Sequence, residues 1–327
     1  MMINNDDNIM VSIYCLCYNH EKYIRDTLDG ILMQDVDFEY EVIIHDDAST
    51  DHSQEIIKEY MEKYPNHIRA ILQTENQYSK GKKITNEYIL PNLKGKYVAI
   101  CECDDYWCDK YKLKKQVDFL EKNPEYSLCT HSFWVVDSNK EYISKCKRMG
   151  RGDGDIDIED IIMNKDLPQT ATFMYRKQYR VEMPQLFIDC KVGDYPLFLY
   201  FSTKGKCYYF DIVMSHYRRH GNGSWVTRMH SDDEVFEAHI LNLMELLSKY
   251  DIYTKYKYTE IVKRRIDQCN LMILKRYKRI SDFKNNDYFR SLTNCEKIRE
   301  IFITKYPKIF NAICSIKRKI VKHEYNS

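Results

Sequence analysis

The chain predicts an α/β fold: a mainly parallel sheet flanked by helices, then a helical region at the carboxyl end. Three observations predict it. Apolar, β-favouring runs alternate with stretches of helical period over the first 125 residues. Several of those runs end abruptly in polar clusters, as strands do at a sheet edge. From Asp232 onward the pattern is helical throughout, and glycine is absent after Gly223.

Taken in order, Val11–Cys17 reads as a strand that ends at the turn Tyr18-Asn19-His20. Tyr23, Ile24, Leu28, Ile31 and Leu32 recur at near-helical spacing. Tyr40–Ile44 is a second strand, followed by His45-Asp46-Asp47-Ala48-Ser49-Thr50-Asp51 and a helix carrying Ile56, Ile57 and Tyr60, which Pro65-Asn66 breaks. Ile68–Leu72 is a third strand, Ile84–Leu90 reads as helix up to Pro91, and Tyr97–Cys101 is a fourth strand. Lys112–Lys122 reads as a helix with Leu113, Val117 and Leu120 on one face. Repeated strand–helix units require parallel pairing. Beyond them, Tyr126–His131 and Phe133–Val136 read as a strand or hairpin, 148–155 as loop, Ala171–Tyr175 as a strand, Asp194–Tyr200 as the start of a helix, and Lys206–His216 as a strand. This divides the chain into residues 1–230, with a regular first half (about 1–125) and a less regular second half (about 126–230), and a basic helical region, 231–327.

The 327 residues suffice for a large core, and 30% charged with 44% hydrophobic residues is a soluble composition. The 28 tyrosines suit polar, sugar-like ligands, or simply reflect a biased base composition. Of the twelve cysteines, Cys15, Cys17, Cys101, Cys103, Cys129 and Cys269 lie in or beside apolar runs, and no zinc-type spacing is present. Together with an amino terminus that lacks signal-peptide features, this predicts free thiols in the cytoplasm. The net charge of +1 hides a split. Residues 252–327 hold 19 Lys+Arg against 7 Asp+Glu, and the rest of the chain is correspondingly acidic. The basic end reads as a peripheral contact with an anionic inner membrane face, a partner surface, or a solvated helical cap. No nucleic-acid motif accompanies the charge.

Three polar clusters follow strands: Tyr18-Asn19-His20, Asp46–Asp51 and Asp104-Asp105-Tyr106-Trp107. Carboxyl ends of parallel strands share one edge, so the clusters converge into a ligand crevice. Carboxylates there suit Mg²⁺ or Mn²⁺ and, through the ion, a diphosphate. Each cluster also has a plain alternative: Asn19 shapes a turn and Asp51 caps a helix.

The YNH turn, His45–Asp51 (HDDASTD), Asn76–Lys83 (NQYSKGKK) and above all Gly95–Tyr126, with its GKY-strand-E-x-DDYW, KL-x-KQ and NPEY, resemble bacterial glycosyltransferases of family 2. The resemblance runs from Val11 to Tyr217. It implies a GT-A fold, a nucleotide-diphosphate-sugar donor (UDP being the commonest nucleotide), a divalent metal, Mn²⁺ or Mg²⁺, and inversion at the anomeric carbon. By position, Asp47 resembles the acid that binds the donor base, with Tyr18 stacking and Asn19 beside it. Asp105 resembles the direct metal ligand, Asp104 a ribose or metal-water contact, and Glu102 sits where many relatives carry an acid. Gly193-Asp194 resembles the segment that supplies the catalytic base. Tyr217-Arg218-Arg219-His220 resembles the segment that closes over the diphosphate, with Arg219 on phosphate and His220 on metal or phosphate. Lys82 or Lys83 also faces phosphate in this reading. Trp107, His131 and Thr172 are acceptor-side candidates, each of which reads equally as a core residue.

The implied reaction moves a sugar to a hydroxyl of a glycan or lipid-linked acceptor in surface-polysaccharide synthesis. Asp194 would take the acceptor proton in a single displacement. A nucleotidyltransferase would place a Gly-rich basic loop after the first strand, where this chain has Tyr18-Asn19-His20. A non-catalytic binding protein would have no use for both Asp105 and Asp194.

Overall fold

The computed structural model describes residues 9–190, 193–219, 231–310 and 312. Strand β1 (Ile9–Cys17) lies between β2 (Glu39–Asp46) and β4 (Tyr97–Ile100), with β3 (Ile68–Leu72) outside β2; all of these pairings are parallel. Helices α1 (Ile24–Leu32) and α2 (Ser53–Lys63) form the crossovers. Near-continuous burial of β1, β2 and β4 is what a sheet covered on both faces demands, and explains their uninterrupted apolar runs.

The second half is mixed. After the short β5 (Tyr106–Trp107) and α3 (Lys112–Lys122), the chain forms β6 (Tyr126–Val136), β7 (Tyr142–Lys145), β8 (Gly154–Asp155), α4 (Ile158–Ile162), β9 (Met174–Arg176), α5 (Lys177–Val181), α6 (Gln185–Ile188), α7 (Asp194–Ser202) and β10 (Lys206–Arg218). Sheet order is β3-β2-β1-β4-β9-β6-β10-β5, with β7 on β6 and β8 on β10. Strand β9 runs antiparallel to both β4 and β6, so it joins the parallel half to the mixed half. The stretch read as strand or hairpin is one eleven-residue strand, β6; nothing between His131 and Phe133 supplies a turn. Ile84–Leu90 is not a regular helix but a wide π-turn over Thr85–Ile89 that tightens at Leu90–Asn92, where Pro91 stops it.

The carboxyl region forms α8 (Asp233–Tyr253), α9 (Thr259–Arg276), α10 (Asp287–Ser291) and α11 (Asn294–Lys305). Asp232 caps α8 by accepting from the N–H groups of Glu234 and Val235. Phe236, Ile240, Leu243, Leu247 and Tyr250 of α8 are buried in the same apolar cluster as Leu197, Phe198 and Phe201 of α7. Part of the basic charge is ion-paired: Arg264 with Glu159, Lys275 with Glu300, Arg276 with Asp233 and Arg279 with Asp282. Among the described residues no helix is long and apolar enough to cross a membrane. The eleven described cysteines are all free.

Candidate active site

The strand-end clusters converge, as expected from parallel topology. Cys17 pairs with Asp46 at the shared edge of β1 and β2. The two following turns are latched together: Asn19 N–H donates to Ser49 Oγ at 2.9 Å, Thr50 N–H to Asn19 Oδ1 at 2.7 Å, and His20 N–H to Ser53 Oγ at 2.9 Å. Both turns need a left-handed residue, Asn19 at φ 58° and Ala48 at φ 61°. Asparagine tolerates that conformation, whereas alanine occupies it at a cost of order 1 kcal/mol.

The adjacent acids of the second cluster divide their work. Asp46 is fully buried and accepts from Ser49 and Gln54, so it holds the turn. Asp47 directs both carboxylate oxygens at the next loop, accepting from Gln77 N–H at 2.7 Å and Tyr78 N–H at 3.0 Å. Tyr18, 46% exposed, stands beside this pair of turns with an open ring. Lys82 is exposed and ion-paired with Glu87 at 3.0 Å.

The acidic turn after β4 is anchored on three sides. Cys103 N–H donates to Leu16 O, Thr27 Oγ1 of α1 donates to Asp105 O at 2.6 Å, and Arg218 N–H at the end of β10 donates to Asp105 Oδ1 at 2.7 Å. The Arg218 guanidinium, itself without exposed surface, donates to Asp104 O at 2.7 Å and to Asp26 Oδ2 at 2.8 Å. It lies over the rings of Tyr23 and Tyr106 at 4.6 and 5.1 Å. Gly30 lets α1 approach: a Cβ there would lie 2.6 Å from Trp107 O.

Electrostatically the turn is tense. Burial pushes the Asp105 carboxyl well above the usual carboxylate range, with Asp104 adding to the effect and the Arg218 N–H opposing it. Burial likewise raises Glu102 to about 7, with Asp104 and Asp194 adding and His20 opposing. Burial works to lower His20, but its hydrogen bond to Cys17 and the charges of Asp104 and Glu102 raise it overall. Among the described residues neither Glu102 nor Asp105 is ion-paired with a side chain, so both buried carboxyls lack a full counter-charge for their ionised form. Hard carboxylate oxygens in that condition fit a divalent cation. Among the described residues no cluster of three or more His, Cys, Asp or Glu could hold one alone. An ion of the Mg²⁺ type, which takes one or two carboxylates and fills its shell with phosphate oxygens and water, matches that partial donor set.

Glu102 and Asp194 open into one cavity of about 1020 Å³. Its walls come from the loop Tyr78–Asn86, from Tyr14 and Leu16 of β1, from α5–α7, and from Glu234, Val235 and Ala238 of α8. Asp194 sits in the first turn of α7, half-buried, with Oδ1 accepting from Tyr195 N–H at 2.8 Å. It therefore serves the helix start and still reaches the cavity.

Several expected positions differ. Trp107 is 1% exposed and gives its indole N–H to Ala171 O at 3.0 Å. His131 is fully buried in β6, and burial lowers it well below the usual histidine range. Thr172 is fully buried and donates to Gln169 O at 2.6 Å. None of the three lines the cavity; Trp107 and Thr172 donate to backbone carbonyls and His131 Nδ1 meets Ser132 O, so their burial away from the cavity corrects the acceptor-side reading. Arg219 is exposed at the end of β10, its N–H bound to Val136 O. His220 lies outside the described residues. The sequence pointed to Arg219, whereas the buried Arg218 beside it organises the acids. Glu102, read from the sequence only as a position where many relatives carry an acid, is the acid of this segment that faces the cavity.

Sheet order, crossover helices and an acidic turn at the carboxyl edge define the GT-A class of fold. Comparison with solved structures agrees. Staphylococcus aureus TarS residues 1–349, in complex with UDP-GlcNAc, superposes with a TM-score of 0.60 at 18% identity, covering 90% of this chain and 79% of that one. A mannosyltransferase from Pyrobaculum calidifontis, in complex with GDP-Man and Mn²⁺, gives 0.51 at 13% identity, covering 92% and 88%. The chain belongs to glycosyl transferase family 2, whose model matches residues 12–188, more than half its length. An uncharacterized protein of Mycobacterium tuberculosis (strain ATCC 25618 / H37Rv) is 35% identical over 216 residues, 66% of this chain and 60% of that protein. The match thus spans about 60% of that relative's length. An Escherichia coli UDP-Glc:alpha-D-GlcNAc-diphosphoundecaprenol beta-1,3-glucosyltransferase, WfaP, is 33% identical over 112 residues, 34% of this chain and 41% of that one.

Proposed function

We propose that the protein is an inverting glycosyltransferase that moves a sugar from a nucleotide-diphosphate donor, with UDP favoured, to a hydroxyl of a glycan or lipid-linked acceptor in surface-polysaccharide synthesis. The observation that carries this reading is the shared cavity: Glu102, which leads into the acidic turn, and a helix-borne carboxylate, Asp194, face one space large enough for a sugar and an acceptor hydroxyl. Family membership and relatives named as glycosyltransferases support it.

In this mechanism Tyr18 stacks on the donor base, and Asp47, with Asn19 and Lys82 nearby, orders the loop around it. Asp104 meets the ribose, and Asp105, with His220, would hold the divalent ion. When bound, that ion neutralises charge developing on the leaving diphosphate. Arg219 adds positive charge on the same side. Asp194 accepts the proton of the attacking hydroxyl, which a single displacement requires on the face opposite the leaving group. Glu102 shares the cavity and, with its carboxyl near neutrality, holds a proton or releases it according to what binds beside it. The basic carboxyl region would rest on an anionic membrane face where lipid-linked acceptors lie. The ion pairs within α9 and α11 leave only part of its charge for that role.

The test is a panel of UDP-, GDP- and dTDP-sugars, scored for binding and for hydrolysis with and without Mn²⁺. Metal-enhanced binding of one nucleotide class is expected; no binding of any nucleotide in either condition overturns the reading.

A further inference from the structure

Arg180 is 6% exposed and lies in the cavity wall. Its Nη2 donates to Asn86 Oδ1 at 2.9 Å. Its Nε and Nη1 have no hydrogen-bond partner among the described residues, and no carboxylate there lies within ion-pair distance. The phenols of Tyr14 and Tyr175 also lie within its electrostatic reach. A buried guanidinium met only by an amide and neutral phenols is costly, because burial removes hydration that only a counter-charge restores. Lys83 lines the same cavity, half-buried and likewise without an ion-pair partner among the described residues, in contrast to its neighbour Lys82, which is held by Glu87.

The lining of the cavity argues against the diphosphate as the missing anion. Arg180 shares that lining with Tyr14, Glu102 and Asp194, and neither Asp104, Asp105 nor Arg219 belongs to it. Whatever reaches Arg180 is the part of a ligand that extends past Glu102 and Asp194 into the cavity. Those two acids, with Glu234, would repel a dianion more than a singly charged group.

We propose that Arg180 and Lys83 form a subsite for the carboxylate of an acidic sugar. This rests on the transferase reading and sharpens its substrate class. A carboxylate matches the planar guanidinium, and Asn86 fixes the fork's orientation. The carboxylate arrives either on the donor sugar, as in a nucleotide-linked uronic acid, or on a uronic acid residue of the acceptor.

Titration calorimetry with UDP-glucuronate and UDP-glucose separates these sources from failure. A donor-borne carboxylate gives at least a tenfold preference for UDP-glucuronate in the wild-type protein. An acceptor-borne one gives equal donor binding, but at least tenfold faster transfer to a uronate-containing oligosaccharide than to its carboxyl-reduced counterpart. In either case Arg180→Met abolishes the preference and Lys83→Met reduces it about threefold; thermal unfolding establishes that each variant is folded. If Arg180→Met does not fold, the wild-type preference and Lys83→Met decide. Equal treatment of both pairs by the wild type overturns the subsite and leaves the transferase reading standing. If no UDP-sugar binds, that reading fails. Free glucuronate, probed by saturation-transfer NMR against glucose, then decides the subsite: an Arg180-dependent signal supports it and its absence overturns it.

Discussion

Arg218 donates its backbone N–H to the buried carboxylate of Asp105 at 2.7 Å while its guanidinium holds Asp104 O and Asp26. One residue at the end of β10 thus ties the acidic turn, 113 residues before it in sequence, to α1. The backbone bond survives any substitution except proline. The two side-chain bonds do not, and each charge-assisted bond contributes about 1.5–3 kcal/mol. Arg218→Met should therefore lower stability by about 2–4 kcal/mol in urea unfolding and weaken Mn²⁺-dependent nucleotide binding. Arg218→Lys, which can keep only the contact with Asp26, should recover part of the stability but little of the nucleotide binding. Equal recovery of both would show that Arg218 acts on stability alone.

Much of this fold was legible because the parallel half is buried on both faces. β1, β2 and β4 had to be unbroken apolar runs, and their polar ends had to share an edge. The site was legible only so far as it follows strand ends. That Asp46 holds the turn while Asp47 faces the next loop depends on which side of the chain each carboxylate takes, and adjacent acids do not reveal it. Trp107, His131 and Thr172 misled for a similar reason: each is buried and has a polar atom that meets a backbone carbonyl, that of Ala171, Ser132 and Gln169 respectively, which a sequence does not reveal. Arg180 gave no signal, because a buried arginine in a short helix reads like any surface one.

Asp47 accepts two backbone N–H groups from the loop that follows β3. Asp47→Ala leaves Gln77 and Tyr78 N–H without those acceptors, and Asp47→Asn retains one acceptor oxygen. Nucleotide affinity should fall at least tenfold in the alanine variant and less in the asparagine variant, with a loss of about 1–3 kcal/mol in stability for alanine. Calorimetric binding of UDP and urea unfolding would check both.

Asp194 belongs to the chemistry rather than to binding in the proposed mechanism. Asp194→Asn preserves its bond to Tyr195 N–H through the amide oxygen but cannot accept a proton. Transfer should drop about 10²–10⁴-fold with donor affinity within a factor of three of the wild type. Full activity in this variant would move the base elsewhere, and Glu102 would be the next residue to replace.

Glu102 gives a pH signature with an unusual sign. Its carboxyl is raised from 4.5 to about 7 by burial, reinforced by Asp104. Below pH 4.5 the group is protonated in both folded and unfolded chains and costs nothing. As pH rises from about 4.5 to 7, the unfolded chain releases the proton while the folded protein keeps it, so this group's contribution to stability falls and stays low above pH 7. Glu102→Gln removes the ionisation while keeping the shape. In metal-free buffer with EDTA, the variant should gain stability relative to the wild type as pH increases across that window, read as a growing difference in urea midpoint between pH 4.5 and 8. Adding Mn²⁺ with UDP should narrow the difference at pH 8, because positive charge beside the acidic turn favours the ionised carboxylate. A difference that is constant with pH would show that Glu102 is already ionised in the folded protein throughout this range.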